Sequence, residues 1–464
     1  MSDQKVQVKR EGPLPRLVHF VYFYQEFALG FMTTLGVQYF AFYMTDVALI
    51  PVAMVATIML FGRIGDTFSV FVAGFMIQSV NFKKGKFSTW LYIATPLIIV
   101  FNLLMFSNLP IPLGAKAVLM GSSYILGFFF VNFCSTARFS ILPTLTDDPE
   151  ERTVLSARRG QGGSGGQIIR GMIYVPMVLW LGRVTGSPTW GYFFSALVFG
   201  GVAISGMYWL AYIARPYEML TQAKEGPRPS IKDMLVQLGT NKPLLLIVVA
   251  ETLRMSAANV NTTNNMYYFR YVGGNLMLMP IYLTITFFGS FLGATLVSFI
   301  SKKVERKVTY FAGIIIYIIM ILLAYFFAFG KPVVFMVVMS VAQFGAAIAN
   351  AGNAAYFSDT ADYGELKQGK NIRAINMGLV LIPIKLGVLI GGSIQAYRLA
   401  AIGFAPGTTD PAVIRGIHQT ATLIPPFIMV LALIAMAIYP LNKKKVLEIQ
   451  AELKARKAQQ AQQA

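Results

Sequence analysis

Long apolar runs recur along nearly the whole chain, and they limit its fold more than any other feature. Each run of about 20 residues is long enough to cross the hydrocarbon core of a bilayer as a helix. The 464 residues are 56% hydrophobic, with a mean hydropathy of +0.60. The runs lack the alternation of apolar and polar residues that membrane β-barrel strands show. The sequence therefore predicts an all-α membrane protein that crosses the bilayer many times.

We divide the runs into twelve predicted transmembrane helices, six on each side of a long basic loop. The predicted spans are 17–44, 48–80, 89–107, 113–142, 167–182, 190–213, 243–268, 274–300, 308–329, 332–357, 374–400 and 412–441. This division gives an N-terminal six-helix bundle at 1–214 and a C-terminal bundle at 243–441. A cytoplasmic linker with a short amphipathic helix lies at 215–242, and a cytoplasmic tail at 442–464, expected as a short interfacial helix with a frayed end.

The charged residues predict the orientation of these spans. The chain has 39 Lys and Arg against 20 Asp and Glu. Of the basic residues, 28 lie at the termini or in loops after even-numbered spans, and only six lie in the other loops or at the span ends beside them. Because basic loops stay cytoplasmic, both termini are predicted to be cytoplasmic, in the cell (inner) membrane. The net charge of +19 is thus read as a topology signal, and no nucleic-acid partner is expected.

Other function classes find little support in the sequence. No phosphate-binding loop of the G-x-x-x-x-G-K type is present, which argues against an activity driven by ATP hydrolysis. Two histidines and one cysteine make a zinc site improbable. The lone Cys134 excludes an internal disulfide, and no cleavable signal peptide is evident. We expect neither an enzyme nor a cofactor or metal.

Apart from Lys116, Arg398 and Arg415 at span ends, eight Asp, Glu, Lys and Arg side chains lie inside the predicted spans. An ionised carboxylate in hydrocarbon costs on the order of 3 kcal/mol, so such groups mark ion or substrate pathways. A purely structural bundle needs one or two such pairs, and eight favour a water-filled path. They are Glu26, Arg63, Asp66, Arg138, Arg170, Glu251, Arg254 and Lys385.

Several of these residues allow two interpretations. Glu26, next to Tyr22, suits a hydroxyl-rich ring, and the alternative is an aromatic packing stripe. Arg138 could hold a substrate carboxylate, pair with an acid or extend to the surface. Arg63 is within reach of Asp66 at i, i+3. Lys385 lies too deep to reach the surface and needs a counter-charge, for which Asp66 is favoured over Glu26.

Span seven carries a further polar group. Glu251 and Arg254 are i, i+3 neighbours and are expected to pair. Four amides follow them, at Asn259, Asn261, Asn264 and Asn265. The amides could bind substrate or join helices by hydrogen bonds.

A motif after span ten resembles a known family signature. The stretch S-D-T-A-D-Y-G-E-L-K-Q-G-K at 358–370 is similar to the D-x-x-D-Y-G-E-x-K-x-G signature of the glycoside–pentoside–hexuronide:cation symporters, a branch of the major facilitator superfamily. Supporting matches are Y-x-T-D at 43–46, R-x-x-D at 63–66, G-K-F-x-x-W at 85–90, S-I-L-P-T at 140–144, E-R-T-x-L-S-x-R at 151–158 and N-K-P at 241–243.

The resemblance implies the major facilitator fold and sugar transport coupled to H⁺, Na⁺ or Li⁺. By position, Glu26 matches the family's sugar-binding acid, and Arg159 and Lys385 match its basic positions. Asp66 matches the first acid of the cation site and Asn132 a polar position there, and we add Ser69 to this cation-coupling group. The predicted substrate-binding set is Tyr22, Glu26, Ser135, Arg138, Phe139, Arg159, Asn350 and Lys385.

The chain also departs from the family pattern. Val70 replaces the second acid of the cation site, which weakens the case for Na⁺. Ser135 stands at the galactoside-binding aspartate, Phe139 at the nearby aromatic residue and Asn350 at a tryptophan, so galactoside binding is doubtful.

The resulting hypothesis is cation-coupled symport of a glycoside by alternating access, with H⁺ or Na⁺ as the coupling ion. The lipid bilayer, the cation and a small glycoside are the expected partners. Asp359 and Asp362 are expected to gate the cytoplasmic side, with Arg159 as one ion-pair partner. Alternatives are a carrier of a non-sugar organic anion or of a hydrophobic glycoside, and a channel or non-transporting sensor.

Overall fold

The computed structural model describes residues 14–80, 82, 85–146, 148–220, 231–300, 304–368 and 379–463. Within these residues the secondary structure is helical, with no strand. The first unit contains α1 (Arg16–Val47), α2 (Val52–Ser79), α3 (Lys86–Met105), α4 (Leu113–Leu145), α5 (Pro149–Val184) and α6 (Pro188–Leu220). The second contains α7 (Ile231–Thr240), α8 (Lys242–Val272), α9 (Met279–Ile300), α10 (Arg306–Phe327), α11 (Pro332–Asn350), α12 (Asn353–Gln368), α13 (Leu381–Ala401), α14 (Pro411–Thr422), α15 (Ile424–Ala437) and α16 (Lys443–Gln463).

The predicted all-α, multi-pass membrane class is confirmed. Among the described residues, ten helical segments are long and apolar enough to cross a bilayer. Predicted spans five and eleven fall on α5 and α13, which are helical but more polar. A helix therefore lies at each of the twelve predicted positions, which is consistent with twelve spans, and the count itself stays a prediction.

The chain divides into two compact units, Met1–Glu225 and Gly226–Ala464. In the first, α1 packs against α5 and α6, while α2 and α3 pack against α4. In the second, α8 packs against α13 and α15, while α9 and α10 pack against α11. Each unit thus repeats one packing pattern. The predicted bounds of the linker and tail stay predictions, since 221–230 lie outside the described residues.

A constant spacing of 225 residues relates α1, the first long helix of one unit, to α8, the first long helix of the other. The α-helical hydrogen bonding widens to a π-helical turn at Tyr43–Val47 in α1 and at Tyr268–Val272 in α8. The Tyr43 hydroxyl donates to the Phe106 carbonyl at 2.7 Å, and the Tyr268 hydroxyl donates to the Ala328 carbonyl at 2.8 Å. Both acceptors immediately follow a helix of the same unit, α3 or α10. Equivalent residues of α1 and α8 therefore make equivalent contacts, each within its own unit.

The same spacing relates the glycines by which α5 and α13 approach these helices. A Cβ on Gly162 would collide with the Phe23 carbonyl of α1, and one on Gly166 would lie 3.2 Å from the Phe27 Cα. In the second unit, a Cβ on Gly387 would lie 2.9 Å from the Met255 carbonyl carbon. One on Gly391 would collide with the Ser256 carbonyl oxygen. The Gly-rich stretch at 160–166 thus lies within α5. Because Gly162 and Gly166 have no side chains, α5 can pack almost in backbone contact with α1.

Helix α2 shows how the membrane inverts the usual arrangement of polar and apolar residues. Phe61, Phe68 and Phe75 recur every seven residues and are 60–71% exposed. On the buried face, Arg63, Asp66 and Ser69 are only 2–4% exposed. A helix that turns its phenylalanines outward and its charges inward fits an apolar surrounding.

The C-terminal tail is longer and better packed than expected. Helix α16 extends over Lys443–Gln463 and packs against α12, which carries the signature motif. Gln450 Nε2 donates to Asp362 Oδ2 at 3.1 Å, and Arg456 Nη1 donates to the Leu366 carbonyl at 3.1 Å. The tail therefore joins the second unit directly at the signature helix.

Candidate functional site

The predicted substrate acid Glu26 lies in a cluster of polar side chains from α1, α4 and α5. Arg138 Nη1 donates to Glu26 Oε2 at 2.5 Å and to Gln25 Oε1 at 2.9 Å. The Arg138 side chain is only 6% exposed, so it does not extend to the surface, and of the three alternatives it takes the acid pairing. Its own backbone carbonyl accepts a hydrogen bond from the Tyr22 hydroxyl at 3.4 Å. Tyr22 is fully buried, so it supports Arg138 and presents no free ring face.

A second guanidinium approaches the same carboxylate from α5. Arg159 Nε lies 4.0 Å from Glu26 Oε2, and both side chains are 28% exposed. The Arg159 guanidinium carbon stands 4.4 Å from the centre of the Phe139 ring, within the range of a cation–π contact. Phe139 itself is 41% exposed. Arg159 and Phe139 thus offer one positive group and one apolar ring that remain accessible.

A third guanidinium, that of Arg170, also lies beside α1. Arg170 Nη1 donates to the Phe27 carbonyl at 3.2 Å, and its guanidinium carbon lies 5.6 Å from the centre of the Phe31 ring. Its side chain occupies the space that side chains at Gly30 and Gly166 would need. The local helix sequence predicts neither this position nor the glycines that it requires. Arg170 adds positive charge close to Glu26 without pairing directly with it in the described contacts.

The three residues predicted to couple the cation converge on one point between α2 and α4. Asn132 Nδ2 donates to Asp66 Oδ1 at 2.8 Å, to the Asp66 carbonyl at 3.0 Å and to Ser69 Oγ at 2.6 Å. The Ser69 hydroxyl in turn donates to the Asp66 carbonyl at 2.7 Å. Asp66 and Asn132 are each 4% exposed. The carboxylate is therefore shielded from solvent and oriented by the Asn132 amide, which Ser69 contacts in turn.

Arg63, the suggested partner of Asp66, contacts aromatic rings. Its guanidinium carbon lies 5.2 Å from the Tyr124 ring centre and 5.3 Å from that of Phe128. Two of its nitrogens, Nε and Nη2, are buried without a hydrogen-bond partner among the described residues. The rings provide part of the stabilisation that a buried cation needs.

Helix α4 connects the two acidic groups of the first unit. It carries Asn132, which binds Asp66, and six residues later Arg138, which binds Glu26. Six residues correspond to about 9 Å along a helix. Ser135, half-buried, lies midway between them. A single helix therefore carries a contact to each of the two acids.

The second unit contains its own polar cluster. The predicted pair of Glu251 and Arg254 is confirmed, with Arg254 Nη2 at 2.7 Å and Nε at 3.0 Å from Glu251 Oε2. Arg254 Nη2 also donates to Asn350 Oδ1 at 2.7 Å. The predicted substrate residue Asn350 is therefore held by an arginine of the neighbouring helix.

The amides that follow Arg254 serve mainly to join helices. Asn261 Nδ2 donates to the Tyr317 hydroxyl at 2.8 Å, and Asn264 Nδ2 donates to the Ile417 carbonyl at 3.2 Å. Asn259 donates to the Met255 carbonyl of its own helix at 3.3 Å. For Asn261 and Asn264 the structure supports the helix-joining interpretation, whereas the described bond of Asn259 stays within its own helix.

The predicted gating acids lie on α12, and their described partners belong to the second unit. Asp359 Oδ2 accepts from Arg306 Nη1 at 2.6 Å, a partner that the sequence did not indicate. Asp362 contacts Gln450 of α16. Lys385 is half-buried on α13. Its pairing with Asp66, and the lock that includes Arg159, join residues of different units and stay predictions.

Comparison with known proteins gives the class of this chain. A family described as MFS/sugar transport protein matches residues 21–443. The chain belongs to this family, and the predicted resemblance to the glycoside–pentoside–hexuronide branch is confirmed. It is accordingly a multi-pass membrane transporter and not an enzyme.

Two curated relatives align along nearly the full length. The glucuronide carrier protein homolog of Escherichia coli (strain K12) is 28% identical over 442 residues, which cover 94% of each chain. The isoprimeverose transporter of Lactiplantibacillus pentosus is 26% identical over 446 residues, covering 95% of this chain and 92% of the relative. The solved structure of a D-xylose-proton symporter has a TM-score of 0.67 at 13% identity, covering 91% of this chain and 97% of that one, which shows the shared fold.

Proposed function

We propose that this transporter carries a glycoside bearing an acidic group, of the glucuronide type, in symport with a proton. Arg159 and Glu26 bind the substrate, Arg138 holds Glu26 in place, Asp66 takes up the proton, and the loaded carrier alternates its access from one side of the membrane to the other. A relative named as a glucuronide carrier homolog supports the substrate class.

The observation that carries the substrate assignment is the excess of positive charge around Glu26. Arg138 is neutralised by its 2.5 Å contact with Glu26, whereas Arg159 approaches the same oxygen only to 4.0 Å. Arg159 therefore keeps donors for a further acceptor, and a guanidinium binds a carboxylate by two parallel hydrogen bonds. The Phe139 ring beside it can pack against the apolar face of a sugar or aglycone.

The surroundings of Asp66 support a proton as the coupling ion. Na⁺ sites are built from several oxygen atoms, whereas the Asn132 amide presents its nitrogen to the carboxylate and to Ser69. Val70 stands where the family's second acid would supply more oxygen. A single carboxylate suffices to bind and release a proton, because protonation removes a charge that burial penalises.

Helix α4 contacts both Asp66 and Glu26 and so offers a route by which proton binding and substrate binding are coupled. Protonation of Asp66 weakens its hydrogen bond from Asn132, and α4 conveys the change to Arg138 and Glu26. Coupling between two ligands requires only about 1–3 kcal/mol and acts equally in both directions. The proton thus favours substrate binding, and the substrate favours protonation.

Uptake by purified protein in proteoliposomes tests the proposal. The two probes are 4-nitrophenyl β-D-glucuronide and 4-nitrophenyl β-D-glucoside, which differ at carbon 6 in having a carboxylate or a hydroxymethyl group. We expect accumulation of the glucuronide driven by an inward pH gradient, with a sodium gradient ineffective. Preference for the glucoside would refute the acidic substrate, and accumulation driven by sodium alone would refute the proton.

A non-sugar organic anion is the second candidate, because Arg159 recognises a carboxylate whatever carries it. Competition by small mono- and dicarboxylates against glucuronide uptake distinguishes the two. A simple carboxylate that competes more strongly than the glucuronide would favour this alternative.

A further inference from the structure

Arg63 of the first unit is a buried cation for which the described residues provide no counter-charge. It is 2% exposed, and its Nε and Nη2 atoms lack a hydrogen-bond partner in the part of the chain that the structure describes. Asp66 lies one turn away on the same helix, but its carboxylate accepts from Asn132, and no ion pair joins Arg63 to a described acid. Glu26, the other acid within the spans of this unit, pairs with Arg138. Because an arginine does not lose its proton inside a protein, the charge of Arg63 remains to be compensated.

Helix α4 brings an aromatic hydroxyl next to this guanidinium. The Arg63 guanidinium carbon lies 5.2 Å from the centre of the Tyr124 ring, and Tyr124 is fully buried. A side chain on Gly62 would collide with that ring, so the glycine before Arg63 allows α4 to approach α2 closely. The Tyr124 hydroxyl interacts electrostatically with Arg63, and it too is buried without a hydrogen-bond partner among the described residues. A guanidinium and a phenol therefore lie close together, and both need an acceptor.

The surroundings favour an anion as that acceptor. A buried donor without an acceptor and a buried charge without a counter-charge each destabilise a fold. Water would satisfy the donors but leave the charge, whereas an anion compensates both.

The aromatic rings at this site narrow the choice of anion. The centre of the Phe128 ring lies 5.3 Å from the guanidinium carbon, and Phe40 stacks on Tyr124 with ring centres 5.1 Å apart. The edges of such rings carry a partial positive charge. A halide ion suits this setting better than a carboxylate or a phosphate, because it is small, weakly hydrated and accepts hydrogen bonds from any direction.

From these observations we propose that Arg63 and Tyr124 form an internal binding site for a halide ion, chloride under ordinary conditions. The guanidinium and the phenol hydroxyl donate hydrogen bonds to the ion, which neutralises the buried charge between α2 and α4. The site lies within the first unit and does not depend on which substrate the transporter carries.

Thermal unfolding of the purified protein at constant ionic strength tests the site. Sodium methanesulfonate is replaced stepwise by sodium chloride or sodium bromide, so that the charge of the anion stays the same and its size changes. We expect the melting temperature of the wild type to rise by about 2–4 °C, as for a ligand at about ten times its dissociation constant. Crystals grown in bromide should show anomalous scattering at hydrogen-bond distance from Arg63 and Tyr124.

Variants of the two proposed ligands assign the response to this site. Tyr124→Phe keeps the ring over the guanidinium and removes one donor, so the chloride concentration at half-maximal stabilisation should rise about 3- to 10-fold. Arg63→Gln should abolish the response, whereas Arg63→Lys keeps the charge and should retain a response at higher chloride. Tyr174→Phe is the matched control, because the Tyr174 hydroxyl is also buried without a hydrogen-bond partner among the described residues. It should respond to chloride as the wild type does.

Three results would overturn the proposal. One is a wild-type melting temperature that is the same in all three salts, and another is bromide located only at other positions. The third is a chloride response that persists unchanged in Arg63→Gln. If Arg63→Gln does not fold, Tyr124→Phe and Arg63→Lys decide, since an unshifted midpoint in both would refute the site. None of these measurements uses transport, so failure of the proposed function would leave the test of the halide site unaffected.

Discussion

Replacement of Arg159 by glutamine should reduce the affinity for an acidic glycoside and leave the fold intact. Arg159 is 28% exposed, and its described contacts are the 4.0 Å approach to Glu26 and the Phe139 ring. Neither contact is a close ion pair, so the substitution leaves no buried charge without its partner. The substitution should therefore lower the affinity for the substrate more than it lowers the stability of the protein.

The size of the effect follows from the interaction that is lost. A hydrogen bond to a charged group contributes about 1.5–3 kcal/mol. Partial exposure of Arg159 to solvent places the expected loss near the lower end, at about 1.5–2 kcal/mol. Since 1.4 kcal/mol corresponds to a factor of ten, the KM for 4-nitrophenyl β-D-glucuronide should rise about 10- to 30-fold.

The neutral glucoside and a neighbouring arginine supply the controls. Glucoside counterflow should change by about twofold or less, because the glucoside offers no carboxylate to Arg159. Arg158→Gln alters the adjacent, exposed residue, whose described partner is Gln161 at 3.2 Å, and should resemble the wild type. An equal loss of affinity for both glycosides in Arg159→Gln would refute the assignment of Arg159 to the acidic group.

Three further predictions concern coupling and packing. Asp66→Asn should abolish uphill accumulation of glucuronide and retain exchange, since the amide cannot carry the proton; accumulation at the wild-type level would exclude this role. Glu218→Gln should lower the melting temperature by a few degrees, about 1 kcal/mol, because the carboxylate accepts from the first amides of α3, with Phe87 N at 2.7 Å and Ser88 N at 3.0 Å. An unchanged melting curve would contradict it. Gly162→Val should prevent α5 from packing against α1 and abolish a folded peak in gel filtration, whereas Gly160→Ala, with open space around its Cβ position, should retain that peak.

The sequence by itself determined the membrane class, the positions of the long helices and the identity of the buried charges. These features are local, because a run of apolar residues must lie in lipid and a charge within it must find a partner. The pair of Glu251 and Arg254 could be predicted for the same reason, since residues three apart share one face of a helix.

Only the tertiary structure decided which distant residues meet. Arg138 binds Glu26 across 112 residues of sequence, and Asn132 binds Asp66 across 66. Such contacts depend on which helix faces pack together, and here close packing depends on glycines whose role helix periodicity cannot reveal. The 225-residue register is likewise visible only once the Tyr43 and Tyr268 turns and the paired glycines are seen in equivalent contacts. The sequence thus fixes which residues are candidates for the site, and helix packing decides how they are combined.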